Sequence, residues 1–194
     1  AMALRVPVAA DDEPEMIDPF GGLADLATKV LRTPKDPEVS FGDDPLRMLR
    51  LFRFISSLGF MADPSALDAV VRMRKRLDIV SRERIRVEFD NLMMGDNVVD
   101  GLEGLVDSGL AEEFVPELPA LAVEQDPHHH HQDVLAHNIA VVGKTRPRLR
   151  LRLAALFHDI GKPDTREFGA GGVSFHHHEV VGARMTRRRM KELR

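Results

Sequence analysis

The sequence has no cysteine, no tryptophan and no tyrosine, and its ten aromatic residues are all phenylalanine. Without cysteine there is neither a disulfide framework nor a thiolate metal site, and an intracellular, cytoplasmic location is the simplest expectation. No apolar run approaches the about 18 residues that a membrane-spanning helix needs. Ala1–Pro7 lacks the basic stretch and apolar core of a secretory signal. A formal net charge of −4 excludes a chain that is cationic throughout, so any nucleic-acid surface has to be local. With 43% hydrophobic and 30% charged residues, the 194-residue chain falls among soluble globular proteins rather than disordered ones. The opening Ala1-Met2-Ala3-Leu4 and the uncapped close in ARMTRRRMKELR give the expectation that it belongs to something longer.

What is present reads as helix, apart from a short opening hairpin. Met2–Val8 and Glu15–Ile17 are brief apolar-rich runs separated by acidic residues and proline. GLADLATKVL has helical spacing, and RTPKDPEVSFG, with two prolines and a glycine, reads as a linker. DDPLRMLRLFRFISSLGF is an amphipathic helix. Asp43 or Asp44 caps it, Pro45 sits in the first turn and Gly59 ends it. Its apolar face is Leu46, Leu49, Phe52 and Ile55, joined by Met48 and Leu51, and Arg47, Arg50 and Arg53 form a basic stripe. Further helices are expected over Asp63–Arg76, Ser81 to Met94 and Asn97–Ser108. PELPALAVEQDP marks a boundary near residues 120–130. Beyond it, HHHHQDVLAHNIAVV, PRLRLRLAALFHDIG and HHHEVVGARMTRRRMKELR are helix candidates around a turn-rich insert, REFGAGGVSF, with hairpin character.

Several groups can carry chemistry. His137 and the adjacent pair His158-Asp159 form a divalent-metal ligand set, since imidazole and carboxylate suit Mn, Fe, Ni, Zn or Mg. The apolar run LAALF leads straight into His158-Asp159, and burying such groups without a partner is costly. A metal or phosphate site explains them, and so would capping of a helix end. His178, in His176-His177-His178-Glu179, is either a further metal ligand or part of a solvated helix start. His128–His131 read as a surface turn. Asp44, Arg47 and Arg50 share one side of a helix, which is compatible with a cap and a solvated stripe or with a binding site. Arg72, Arg74, Lys75 and Arg76, followed by Arg84 and Arg86, are local basic clusters of the kind that phosphate contacts use.

These motifs resemble two known patterns. The arrangement of a His, then HDIGK, then HHEVVGA is similar to the HD superfamily, although the later Asp of that family is not found in this sequence. The stretch RTPKDPEVSFGDDPLRMLRLFRFISSLGF closely resembles the neck of bacterial class II CCA-adding tRNA nucleotidyltransferases and their poly(A) polymerase relatives. SRERIRVEFDNLM resembles that family's Arg-x-Arg-x-Glu helix through Arg84, Arg86 and Glu88, with Asn91 where a lysine is usual. The opening residues through IDPFGGLADL look like the tail of the family's head domain. The resemblance implies a mainly α fold: residues 1–35 as the head tail, 36–122 as a helical neck and body, and 123–194 as a partial HD-like domain, with a short β-hairpin at the N-terminus.

The resemblance further implies an enzyme that adds C and A nucleotides to tRNA 3′ ends from CTP and ATP. Asp44, Arg47 and Arg50 would bind the nucleotide, and Arg72, Arg74, Lys75, Arg76, Arg84 and Arg86 the RNA. His137, His158, Asp159 and His178 would hold a divalent transition metal. Cytosine and adenine both present an amino donor beside a ring-nitrogen acceptor, whereas uracil and guanine present a carbonyl beside an N–H. One carboxylate–guanidinium pair can therefore accept the first two and refuse the others. Nucleotide transfer also needs Mg2+ on a carboxylate pair, which the family carries as Asp-x-Asp after Gly-Gly. Gly21-Gly22 precedes no such pair, Asp11-Asp12 lie in a loop, and no P-loop is found. The catalytic carboxylates are expected to lie N-terminal to Ala1, with this chain inactive in nucleotide addition by itself. Two other readings are an HD phosphohydrolase and a non-catalytic RNA-binding module. No membrane and no protein partner are expected.

Overall fold

The structure is a computed structural model that describes residues 2–6, 13–123, 133–169 and 172–194. His128–His131 lie outside the described residues. The chain opens with an antiparallel pair, β1 (Ala3–Arg5) and β2 (Glu15–Ile17), followed by α1 (Gly22–Thr28). Next, β3 (Val30–Leu31) pairs in parallel with β4 (Met61–Ala62). That two-residue ladder has no periodicity to betray it, and it was not expected from sequence.

The stretch expected to be a linker is in part a helix, α2 (Pro37–Asp43). The Asp36 side chain accepts from the Glu38 and Val39 amides and Pro37 takes the first turn, a start signal that outweighs the second proline. α2 buries Ser40 and Phe41, so the corner into α3 (Leu46–Leu58) is packed rather than loose. Gly59 ends α3 with φ 64°, a left-handed conformation that suits glycine. α4 (Pro64–Met73) stops before its expected end and continues as a 3-10 turn over Arg74–Ile79.

α3 lies against α5 (Arg82–Met94) and α6 (Val98–Asp107) and supplies the core of this half through Met48, Leu49 and Phe52. Phe89 and Phe114 meet edge-on at 5.4 Å within it. Glycine allows the close crossing: a Cβ on Gly101 would lie 2.7 Å from the Cβ of Ser56. Burial of Phe52, Phe89 and Phe114 alone contributes several kcal/mol, at about 1.5–3 each.

The second half comprises α7 (Val134–Lys144), α8 (Leu149–Phe157), the antiparallel hairpin β5 (Arg166–Gly169) and β6 (Gly172–Phe175), and α9 (His178–Glu192). α7 packs on α6, and α8 on α5. Two arginines stitch the halves together. Arg152 of α8 donates to the carbonyls of Met93 and Gly95 at 2.7 Å each. Arg189 of α9 makes a two-pronged contact with the buried Glu117 at 2.8 and 2.9 Å. No described helix is long and apolar enough to cross a membrane.

Candidate nucleotide cleft and metal centre

The α2–α3 corner brings Asp44, Arg47 and Arg50 together with α5. Asp44 follows α2, and its carboxylate accepts the Leu46 amide at 3.3 Å. Arg84 of α5 donates to both of its oxygens at 3.3 Å, and Arg50 Nη1 lies 3.7 Å away. Arg50 Nε in turn donates to Glu88 at 2.7 Å, and Arg53 Nε pairs with the other Glu88 oxygen at 3.0 Å. Glu88 is 7% exposed, and its two oxygens are each matched by a guanidinium group. A charge relay thus runs Arg84–Asp44–Arg50–Glu88–Arg53 and fixes the corner to α5.

Beside this relay opens a cleft of about 570 Å³, lined by Arg32, Arg47, Arg50, Arg53, Glu88, Phe54 and neighbours. That volume lies within the range of small-molecule sites, about 300–1,000 Å³. Four guanidinium groups against one carboxylate give it a cationic lining, although Arg32 also pairs with Asp25 and Asp63 at 3.7 and 3.6 Å. Arg47 Nη1 donates to the carbonyl and hydroxyl of Ser40 at 3.1 Å each, which ties this cleft-lining arginine to α2. Asp44 does not line the cleft and is joined to it through Arg50. Sequence reasoning missed Arg32, a lone arginine in a presumed linker, and gave Arg53 only a place in the stripe. Glu88 was noted for its pattern but not for its role between Arg50 and Arg53.

The six candidate RNA contacts do not form one patch. Arg72 pairs with Glu38 at 2.7 Å, and Arg76 donates to the Gly42 carbonyl at 3.3 Å, so both lean on α2. Arg74 stands 3.7 Å from both Glu112 and Glu113. Lys75 is exposed. Arg84 is turned to Asp44, and Arg86 pairs with Asp90 at 3.4 Å.

In the second half, one ligand atom from each of His137, His158 and Asp159 lies within 4.8 Å of the others. His137 comes from α7, and the other two from the turn that ends α8. His178 enters from the start of α9, its Nε2 3.6 Å from Asp159 Oδ1. Two local features place it there. His177 adopts φ 62°, a left-handed conformation uncommon outside glycine, and turns the hairpin sharply into α9. Gly161 and Gly182 touch back to back, where a Cβ on Gly161 would lie 2.7 Å from the Gly182 nitrogen.

The donor set fits a cation. His158 Nδ1 is 2.8 Å from the Ala155 carbonyl, and His178 Nδ1 is 2.9 Å from that of Phe175. A carbonyl only accepts, so both Nδ1 atoms donate, and each ring directs its Nε2 toward Asp159. His158 Nε2 lies 3.2 Å from Asp159 Oδ2. Imidazole nitrogens grouped around a buried carboxylate suit a positive charge among them. Lys162, which sequence reasoning did not single out, supplies part of it at 2.7 Å from the same oxygen. Its signal was its place in HDIGK, one turn after the aspartate.

A family model described as a probable RNA- and SrmB-binding site of polymerase A matches residues 59–121, and the HD domain model matches residues 134–194. The A-adding tRNA nucleotidyltransferase of Deinococcus radiodurans is 33% identical over 191 residues, which is 92% of this chain and 44% of that protein. The CCA-adding enzyme of Bacillus velezensis is 39% identical over 115 residues, 59% of this chain and 28% of that one. Among solved structures, a tRNA-processing enzyme is 30% identical with a TM-score of 0.50, covering 61% of this chain and 35% of that one. By these matches the chain is a helical segment similar to the RNA- and SrmB-binding site of polymerase A, followed by an HD domain. Over most of its length the chain is similar to members of the CCA-adding enzyme and poly(A) polymerase family. It spans less than half the length of these curated relatives.

Proposed function

We propose that residues 36–122 form the base-reading neck and RNA-binding body of a tRNA nucleotidyltransferase that adds C and A from CTP and ATP. Residues 1–35 are the tail of its head domain, and 123–194 an HD-type metal domain. The observation that carries this reading is the arginine-lined cleft against the α2–α3 corner. Arg47 donates to the ring nitrogen that cytosine and adenine share as an acceptor. Asp44 stands behind Arg50 at the edge of the cleft rather than on its wall; it is the carboxylate that the resemblance assigns to their amino group, and it keeps acceptor positions that Arg84 and Leu46 leave available. Arg50 and Arg53, braced by Glu88, face the phosphates. Transfer draws on Mg2+ held by head-domain carboxylates, and the relay sets the geometry of the base.

The test is equilibrium binding of the four nucleoside triphosphates to the chain. CTP and ATP bind about ten-fold or more tighter than UTP and GTP, and Arg47→Ala erases the difference. Equal binding of all four overturns the base-reading assignment.

The grouping of His137, His158 and Asp159 favours a second activity in the same chain, hydrolysis of a phosphate ester at the HD centre. A divalent transition metal held by these residues would supply an activated water at neutral pH. Asp159 and the histidines hold the site, and Lys162 neutralises the carboxylate and faces the phosphate. Metal-dependent phosphate release that is lost in Asp159→Asn tests this reading.

A further inference from the structure

We propose that the seam between the body and the HD domain is an RNA contact site, in which Arg150 of α8 joins Arg86 of α5 to hold phosphates around one unstacked nucleotide. The inference rests on the RNA-binding reading of the body and extends it into the HD domain, where no such contact was assigned. At the seam of α5, α8 and α9 lies a cavity of about 350 Å³. Its floor is apolar, with Phe89, Leu153 and Met190, and its rim carries Arg86, Arg150, Arg194 and Asp90. The one ion pair on this rim among the described residues is Arg86–Asp90 at 3.4 Å, so three guanidinium groups face a single carboxylate. Burial raises the Asp90 carboxyl above its ordinary range, against the pull of Arg86.

The other α5 arginines are committed elsewhere. Arg82 donates to the Glu113 carbonyl at 3.1 Å, and Arg84 is held by Asp44. Arg86 is therefore the α5 arginine that turns toward the HD domain. An apolar floor beneath a cationic rim is the arrangement that takes a base by its face and the flanking phosphates by their charge. An acidic peptide would have no use for that floor, and a duplex could not enter it.

The test is anisotropy of labelled tRNA lacking its 3′ CCA, titrated with the chain at several salt concentrations. Arg150→Glu weakens binding about ten-fold and flattens the log–log salt slope by about one unit. Asp90→Asn, which removes the opposing carboxylate, tightens binding about two-fold. Arg150→Ala, at an exposed position of α8, gives the direction of Arg150→Glu at smaller size and guards against a fold defect in the charge reversal. Binding that responds to Arg72→Ala but not to either Arg150 variant leaves the RNA reading standing and overturns this inference. No saturable binding by the wild-type chain overturns both. Displacement of the RNA by AMP or CMP at equal concentration from the Arg47→Ala chain, whose base-reading cleft is disabled, assigns the cavity to a free nucleotide and overturns the strand contact.

Discussion

Replacing Arg152 by methionine should loosen the junction between the two halves, and its size can be worked from the contacts. Arg152 is 4% exposed. Its Nη1 donates to the Met93 and Gly95 carbonyls at 2.7 Å each, and its Nε donates to the Thr145 carbonyl at 3.3 Å. These carbonyls at the end of α5 have no partner of their own in that helix, and a cation there also meets the negative end of its dipole. Burial lowers the Arg152 pKa, an effect opposed by Asp96, yet a guanidinium remains a cation. Two short bonds from a charged donor contribute about 3–6 kcal/mol, at about 1.5–3 each. Methionine recovers part of this, because it keeps the stem volume and no longer buries a charge. A net loss of about 3 kcal/mol remains, and for a chain of this size it lowers Tm by about 6–12 °C. Arg152→Lys can reach only one carbonyl well and should recover about half. Thermal unfolding followed by circular dichroism reads the effect. A Tm for Arg152→Met within about 2 °C of wild type would refute the claim that these two bonds hold the α5 terminus.

Three further outcomes follow from the sites. In an enzyme carrying the head domain, Asp44→Ala relaxes the choice of C and A by about ten- to a hundred-fold, the worth of one charged hydrogen bond. Its stability cost stays near 1 kcal/mol because the partners Arg84 and Arg50 reach solvent, and unchanged selectivity in product sequencing would leave Asp44 as a structural carboxylate only. Asp159→Asn removes the oxygen shared by His158 and Lys162 and lowers Mn2+ or Ni2+ affinity by about ten-fold or more in calorimetry; equal affinity would place the metal elsewhere. The chain by itself incorporates no labelled CTP or ATP into tRNA lacking its CCA, because positioning does not replace metal-bound carboxylates at the reacting phosphate. Sustained incorporation above a no-protein control would require a carboxylate pair within these 194 residues.

The sequence by itself determined the helices, because apolar spacing, caps and glycine stops act over a few residues. α3 with its Gly59 end, α5 from Ser81 and the HD turn were all legible in this way. The family resemblance followed from the same stretches, since DDPLRMLR and HDIGK each pack several constrained residues into one turn or two. Helix α2 was hidden behind its prolines until Asp36 was seen to cap it. The β3–β4 ladder joins residues about thirty apart in the chain, and no local pattern specifies such a partner. Only the tertiary structure decided which arginines are free. Arg148, Arg150 and Arg152 alternate alike in the sequence, yet only Arg152 is buried as a clasp on α5. Arg84 and Arg86 lie two positions apart on one helix, about 200° around its axis, so one meets Asp44 and the other the seam with the HD domain. A charge's role depends on which acceptor packing brings within about 3 Å, and that distance is set by elements far apart in the chain.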